Sequence, residues 1–359
     1  MTSTDRLDVL VVGGGQAGLA IGYHLAELGL RFLIVDAGST VGETWKSRWD
    51  SLVLFTPAQF DALPGMPFPA GKDTYPTKDA VASYLRSYAK RFNLPVGLGE
   101  AVTALELEDG GYAATVGTDE VLARQVVVAT GPFQTPFIPG VTAGADDSLF
   151  QIHSSEYRNP DSLPLGPVLV VGGANSGCQI ARELAGSRKV ELAVGKRSPV
   201  LPQRFLGRDL WWWGEKVGLS TVTLRSRLGR RLSTRDPVIG IGPRKVAKRY
   251  GVRLRPRVET LDGRTVRFEG GSTSEPAAIV WATGFRGDYS WIRVPEAVDG
   301  HGAPLHRRGV SAVPGLYFLG LSWQWTRGSA LLGWVQDDAA YLARRIAAFS
   351  NDTVEGAIA

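Results

Sequence analysis

The chain predicts an α/β fold of two dinucleotide-binding (Rossmann-like) domains, one inserted into the other, and three observations carry that expectation. The first is Val9-Leu10-Val11-Val12-Gly13-Gly14-Gly15-Gln16-Ala17-Gly18, an apolar run that leads directly into a glycine loop. The second is Val168-Leu169-Val170-Val171-Gly172-Gly173-Ala174-Asn175-Ser176-Gly177, the same pattern far down the chain. The third is the context: each loop precedes a helix-length segment and then another apolar run, the layout of a βαβ unit. In such a unit the bare N–H groups at the helix N-terminus face a pyrophosphate, and glycine lets the backbone come close to it. Two such loops predict two dinucleotides on one chain, and electron transfer between them.

Taken in order, residues 8–12 form a buried parallel strand, 16–29 a helix and 31–35 the next strand. Asp36 ends that strand, roughly 20 residues past the loop, where an acid bonds the free hydroxyls of an adenosine ribose. Residues 40–77 read as irregular structure packed over a site. Residues 77–91 open on an N-cap threonine and run with helical periodicity. Short strands are expected at 101–107, 112–116 and 125–129, the last running into Ala129-Thr130-Gly131, where small residues let the backbone approach a flavin. The second βαβ unit starts at Val168, and its second strand, 190–194, ends at Gly195-Lys196-Arg197. Strands at 252–258, 265–268 and 278–280 follow, then Ala282-Thr283-Gly284-Phe285. A strand at 315–319 and a helix from 329 to 348 close the chain. The expected domains are 1–163 with 286–359, carrying the first cofactor, and 164–285, carrying the second.

The two strand ends assign the cofactors. Asp36 suits the unmodified ribose of FAD, whereas Lys196 and Arg197 suit the 2′-phosphate of NADPH, which an acid would repel. NADH is a second donor to consider. Candidate FAD contacts are Gly13, Gly15, Gln16, Ala17, Gly18, Asp36, Ala37, Thr44, Trp45, Val102, Thr130, Gly131, Gln324 and Leu331. For NADPH they are Gly172, Ala174, Asn175, Ser176, Gly177, Lys196, Arg197, Ala282, Thr283 and Gly284. Leu331 and Leu332 fit a flavin-facing position and core packing equally well. Trp323, Gln324 and Trp325 are placed for flavin contact after the 315–319 strand. Trp211-Trp212-Trp213, which cannot share one helix face, read first as one or two core residues with one lining a channel, and alternatively as a cap over a substrate entrance.

Composition sets the outer limits. A length of 359 residues with 44% hydrophobic and 21% charged content is that of an ordinary globular protein. With one cysteine, Cys178, the chain has neither an intrachain disulfide nor a redox-active cysteine pair. His24, His153, His301 and His306 show no metal-ligand spacing, so no metal is expected. No apolar run is long enough for a membrane span and the N-terminus lacks a signal-peptide pattern, so a cytoplasmic, membrane-free enzyme is expected. Residues 225–257 hold 12 Arg or Lys against one acid, Asp236. That reads as a solvated basic face or a field for an anionic cofactor; no nucleic-acid motif accompanies it. No oligomeric state follows from the sequence, a homodimer being one option.

Together the two loops, Trp281-Ala282-Thr283-Gly284-Phe285 and His153-Ser154-Ser155-Glu156-Tyr157-Arg158 resemble the flavin-containing monooxygenases. Thr44-Trp45-Lys46, Leu63-Pro64-Gly65-Met66-Pro67-Phe68 and Tyr75-Pro76-Thr77-Lys78 are similar to short bacterial members and to the plant indole-pyruvate branch. The resemblance covers nearly the whole chain. It implies an enzyme that uses FAD, NADPH and O2 to oxygenate a small soft nucleophile, a sulfide or an amine, through a flavin C4a-hydroperoxide. Baeyer–Villiger oxidation is an implied side activity. Indole-pyruvate-type oxidative decarboxylation and a plain NADPH oxidase or electron-transfer reductase are the alternatives. In catalytic roles the resemblance places Asn175 and Thr283, which would steady the nicotinamide nucleotide, and Phe55, which stands where the family carries an active-site Asn. Asp147 and Leu149 replace the Phe and Gly of the family's linker, and Tyr157 stands where Baeyer–Villiger enzymes carry Trp. His153 is expected to serve the linker structurally.

Overall fold

The computed structural model describes residues 6–196, 198–234 and 236–358. The first apolar run becomes the strand Leu7–Val12, flanked in parallel by Phe32–Asp36 and Asp119–Val128. Val96–Leu98 extends this sheet past Phe32–Asp36, and Leu316–Phe318 extends it past Asp119–Val128. The run is apolar at every position because both faces are covered. Val9 and Val11 pack with Leu19, Ile21, Tyr84 and Leu342 on one face, and Leu10 and Val12 with Leu105, Tyr112 and Phe318 on the other. An antiparallel ribbon, Val102–Glu108 with Gly111–Val116, continues from Asp119–Val128.

The second sheet is parallel throughout, in the order Arg253–Arg255, Val190–Ala193, Val168–Val171, Ala278–Trp281, Phe150–His153. Its last strand precedes the expected boundary at 163/164. Phe150–His153 pairs with Ala278–Trp281 and so belongs to the second sheet. Its exposure falls along the strand, from exposed Phe150 to buried His153, and does not read as a buried strand in the sequence. The chain crosses back at the two-stranded pair Thr135–Pro136 with Phe285–Arg286. The strand expected at 252–258 divides into Arg253–Arg255 and Val258–Asp262 around Pro256, which has no N–H for a ladder.

Thr77 caps the helix Lys78–Arg91 by accepting from the Ala80 amide at 3.2 Å. The helix expected from 329 is instead a 3-10 turn, Arg327–Ala330, followed by Val335–Ile358. The turn is closed by a Thr326/Ser329 capping box, and Leu331 leaves it with extended backbone. Gly333 lies so tightly against the Phe60 carbonyl that a Cβ there would meet the oxygen at 1.7 Å. No helix among the described residues is long and apolar enough to cross a membrane.

Both loops turn through the same backbone contact. A Cβ on Gly18 would sit 1.8 Å from the Gly13 carbonyl oxygen, and one on Gly177 would sit 1.8 Å from that of Gly172. Gly15 has ordinary backbone, φ −76, and a Cβ there would meet nothing within 4 Å. Gly18→Ala is therefore expected to lower stability by about 1–3 kcal/mol in urea unfolding, while Gly15→Ala leaves the unfolding midpoint unchanged.

Candidate functional site

The loop after Leu7–Val12 opens onto a cavity of about 320 Å³. Its walls carry Gly13, Gly14, Gly15, Gln16 and Ala17 from the loop, Asp36 and Ala37 from the next strand end, and Thr44, Trp45, Val102, Thr130 and Gly131. The helix Gln16–Glu27 starts there with no acid in its first turn and no side chain capping it, so its amides and dipole are free for an anion. Asp36 is held in place: Oδ2 accepts from the Gly14 amide at 2.6 Å and Oδ1 from the Gly38 amide at 2.8 Å. A carboxylate has about four acceptor positions, so each oxygen keeps capacity for a ribose hydroxyl. Gln16 ties the loop to its surroundings, its Oε1 accepting from Trp45 Nε1 at 3.2 Å. The space beside Gly15 and the fixed carboxylate fit a dinucleotide with an unmodified ribose.

The second loop faces a larger cavity of about 930 Å³, with Gly173, Val194, Gly195, Ser198, Gly242, Arg244, Lys245 and Arg255 on its walls. The helix Asn175–Leu184 again starts without a side-chain cap. Lys196 is exposed and donates from Nζ to the Thr234 carbonyl at 3.4 Å. Arg197 lies outside the described residues. Arg244 and Lys245, which the motif reading passed over, sit in the first turn of Pro243–Tyr250, a turn without an acid. Two cations at the positive end of a helix dipole are unfavourable by themselves, and that was the available signal for an anion site.

A third cavity, of about 250 Å³, takes one wall from each loop. Gln16, Thr44 and Trp45 come from the first side and Asn175, Ser176 and Gln179 from the second, with Phe55, Phe133, Phe285, Leu331 and Leu332 between them. The structure thus brings Phe55, Asn175 and Leu331 together. Asn175 is already engaged through Oδ1, which accepts from the Ile239 amide at 2.9 Å. The Phe55 carbonyl accepts from Gln203 Nε2 at 2.8 Å and from Trp211 Nε1 at 3.0 Å, and the Trp211 ring stacks on the Phe55 ring at 6.0 Å. Buried Asp209 organises this closure. It accepts from Tyr75 Oη at 2.7 Å, from Gln203 Nε2 at 2.8 Å and from the Trp211 amide at 2.8 Å. Of the three consecutive tryptophans, Trp211 is buried against Phe55 and Trp334, and Trp212 and Trp213 pack edge to face on each other.

Several expected site residues lie elsewhere. Thr283 is off the cavity walls; its hydroxyl donates to the Phe137 carbonyl. Gln324 folds onto its own turn, Oε1 accepting from the Leu321 amide at 3.2 Å, because Trp323 takes a left-handed φ of 56° and reverses the chain. Trp323 reaches Asp236 at 3.4 Å and Trp325 lies near Arg308, so neither they nor Gln324 lines the first or third cavity. His153 is wholly buried, with Nδ1 accepting from the Ser155 amide at 3.1 Å and Nε2 donating to the Gly284 carbonyl at 3.0 Å. Burial holds its pKa below the usual value, and the ring serves as a neutral strut joining the linker to the 282–285 turn. Behind the third cavity, Asp61 is 0% exposed. Its Oδ1 accepts from Thr56 Oγ1 at 2.6 Å, while Oδ2 has no partner. Burial pushes this carboxyl up to about 7. A lone acid within Phe60-Asp61-Ala62-Leu63-Pro64 was its only trace in the sequence.

Comparison with known proteins places this geometry. The pattern of the pyridine nucleotide-disulphide oxidoreductase family matches residues 10–200. An uncharacterized oxidoreductase, CzcO-like, of Geobacillus kaustophilus is 45% identical over 95% of this chain and 98% of the relative. An indole-3-pyruvate monooxygenase of Oryza sativa is 27% identical over 87% of this chain and 82% of the relative. Among solved structures, the flavin-containing monooxygenase from Stenotrophomonas maltophilia superposes with a TM-score of 0.79 at 29% identity, covering 96% of this chain and 99% of that one.

Asp61 makes stability depend on pH. A carboxyl whose folded pKa is raised contributes stability that is fully present below its unfolded pKa and is lost as pH rises through the folded value. Wild type is therefore expected to lose stability between about pH 4 and pH 7 through this group, and Asp61→Asn to gain relative to wild type from pH 5 to pH 8 in urea unfolding. An equal difference at both pH values would refute the assignment.

Proposed function

The chain belongs to the pyridine nucleotide-disulphide oxidoreductase family, among its flavin-containing monooxygenases, and we propose that it uses FAD and NADPH to transfer one atom of O2 to a small soft nucleophile, a sulfide before an amine. The observation that carries this reading is the 250 Å³ apolar cavity with one wall from each glycine loop. Nucleotides held by the two loops would present their redox rings to this shared space. When bound, the flavin supplies hydride acceptance from the nicotinamide and activation of O2.

This chain's residues then have separate tasks. Asp36 and the uncapped amides of Gln16–Glu27 hold the flavin nucleotide through its ribose and pyrophosphate. The corresponding amides of Asn175–Leu184, with Lys196 and Arg197, hold NADPH, with NADH as the weaker donor. Phe55, Phe133, Phe285, Leu331 and Leu332 exclude water from the reacting space. We read the second sheet as the nicotinamide unit, inserted into the flavin unit. Dithiol chemistry is a poor fit despite the family's description: Cys178 is this chain's one cysteine, it is buried, and burial pushes its thiol up to about 12.

A second reading, an NADPH oxidase, is favoured by Phe55 alone, because a phenyl ring cannot donate a hydrogen bond where a carboxamide could. Product accounting decides between the two. With methyl phenyl sulfide, a monooxygenase forms sulfoxide in step with NADPH consumed, whereas an oxidase converts the same NADPH wholly to hydrogen peroxide. Phe55→Asn is expected to raise the sulfoxide formed per NADPH; an unchanged ratio would remove the role given to this position. Replacing Lys196 and Arg197 with Ala is expected to raise KM for NADPH about 10–100-fold, the loss of one charge-assisted contact, and to affect NADH far less.

A further inference from the structure

The third cavity is mostly apolar, and Arg48 is the one charged side chain among the described residues that line it. Arg48 lines it half-buried, and the face of the Phe285 ring, 5.0 Å from the guanidinium carbon, is its close partner. No carboxylate among the described residues lies within ion-pair distance of Arg48. The acids nearby in the chain are engaged elsewhere, Asp50 with Lys78 at 3.8 Å and Glu43 with the Ser39 and Thr40 amides. Burial, and then the repulsion of neighbouring Arg158, hold the Arg48 pKa below the ordinary value. Trp49, the next residue, lines the same cavity at 5% exposure, and its Nε1–H has no acceptor.

A half-buried guanidinium without a carboxylate is costly to desolvate, and the one unpartnered acceptor on these walls, Gln179 Oε1, is neutral, so the charge of Arg48 calls for an anion that the chain does not supply. The geometry points to Arg48, beside Trp49, as the receptor for the carboxylate of an amphipathic substrate, whose apolar body lies against Phe55, Phe285 and Leu332. This deepens the monooxygenase reading and rests on it: the preferred nucleophile is a thioether acid. The dinucleotide phosphates are the other source of an anion. Arg48 lines neither the cavity at the first loop nor the one at the second, where those phosphates would be held.

The test compares two probes of nearly equal shape, (phenylthio)acetate and (phenylthio)acetamide, on the FAD-loaded protein. Binding is followed by the visible flavin band and by tryptophan fluorescence, since Trp45 and Trp49 line the cavity. Wild type is expected to bind the acid at least roughly tenfold more tightly than the amide, one charge-assisted contact. Arg48→Met should bring that ratio close to one, and Arg48→Lys, which keeps the charge, should give an intermediate ratio. A wild-type ratio near one, which requires no variant, would overturn the proposal, as would a ratio that survives in Arg48→Met. If Arg48→Met weakens NADPH as much as it weakens the acid, the anion belongs to the dinucleotide and the substrate assignment falls. Because the ratio is a binding measurement, an intact ratio without sulfoxide formation would sink the monooxygenase reading and leave the carboxylate receptor standing.

Discussion

Helix and loop backbones touch at Gly18 and Gly13, and again at Gly177 and Gly172, and the rest of the molecule depends on that contact. With no Cβ between them, each helix starts directly over the end of its strand. Its first amides then face outward, uncapped, beside a loop that has no side chain in the way. Gly13 and Gly172 complete the turn at φ of +110 and +127, packed on the carbonyls of Ala129 and Ala282. Those two residues follow the neighbouring strands Asp119–Val128 and Ala278–Trp281. One packing solution, used twice, therefore makes both anion sites and also sets where the chain leaves each sheet.

The space between the two sites is closed by polar contacts together with the packing of Trp211 on Phe55 and Trp334. The segment around Asp209 and Trp211, an excursion from the second unit, is fastened to the Phe55 carbonyl and to Tyr75 of the first. Asp209 is 1% exposed and satisfied by three donors, so the cost of its burial is offset locally. Asp61 presents the opposite case, with one donor and one orphaned oxygen, and its raised pKa is the consequence. Arg48 is a third case, a half-buried cation that has the Phe285 ring but no carboxylate beside it. The cavity is thus fastened by hydrogen bonds on the Phe55 side and electrostatically incomplete on the Arg48 side.

Much of this was legible in advance because it is local. The strand-loop-helix units, the Thr77 cap and the acid at the strand end each depend on a few consecutive residues whose conformational preferences are strong. The failures are equally specific. Phe150–His153 was missed as a strand of the second sheet because its partner lies more than a hundred residues away. The last helix was placed too early because the interruption at 331–334 comes from contact with Phe60, not from any helix breaker except Gly333. Trp323–Trp325 carried the right residue types for a flavin wall, but one left-handed residue turned them aside.

The sequence by itself determined the α/β architecture, the two nucleotide loops, the acid at one strand end and the cations at the other, and the lack of a dithiol. All of these are properties of short stretches, governed by backbone sterics and residue chemistry. Tertiary structure alone decided that Phe55, Asn175 and Leu331 share one cavity, that Thr283 and Gln324 do not, and that Arg48 faces that cavity without a counter-ion. Those outcomes depend on how the two units meet, and the burial that gives a charge or a hydroxyl its meaning exists only after they do.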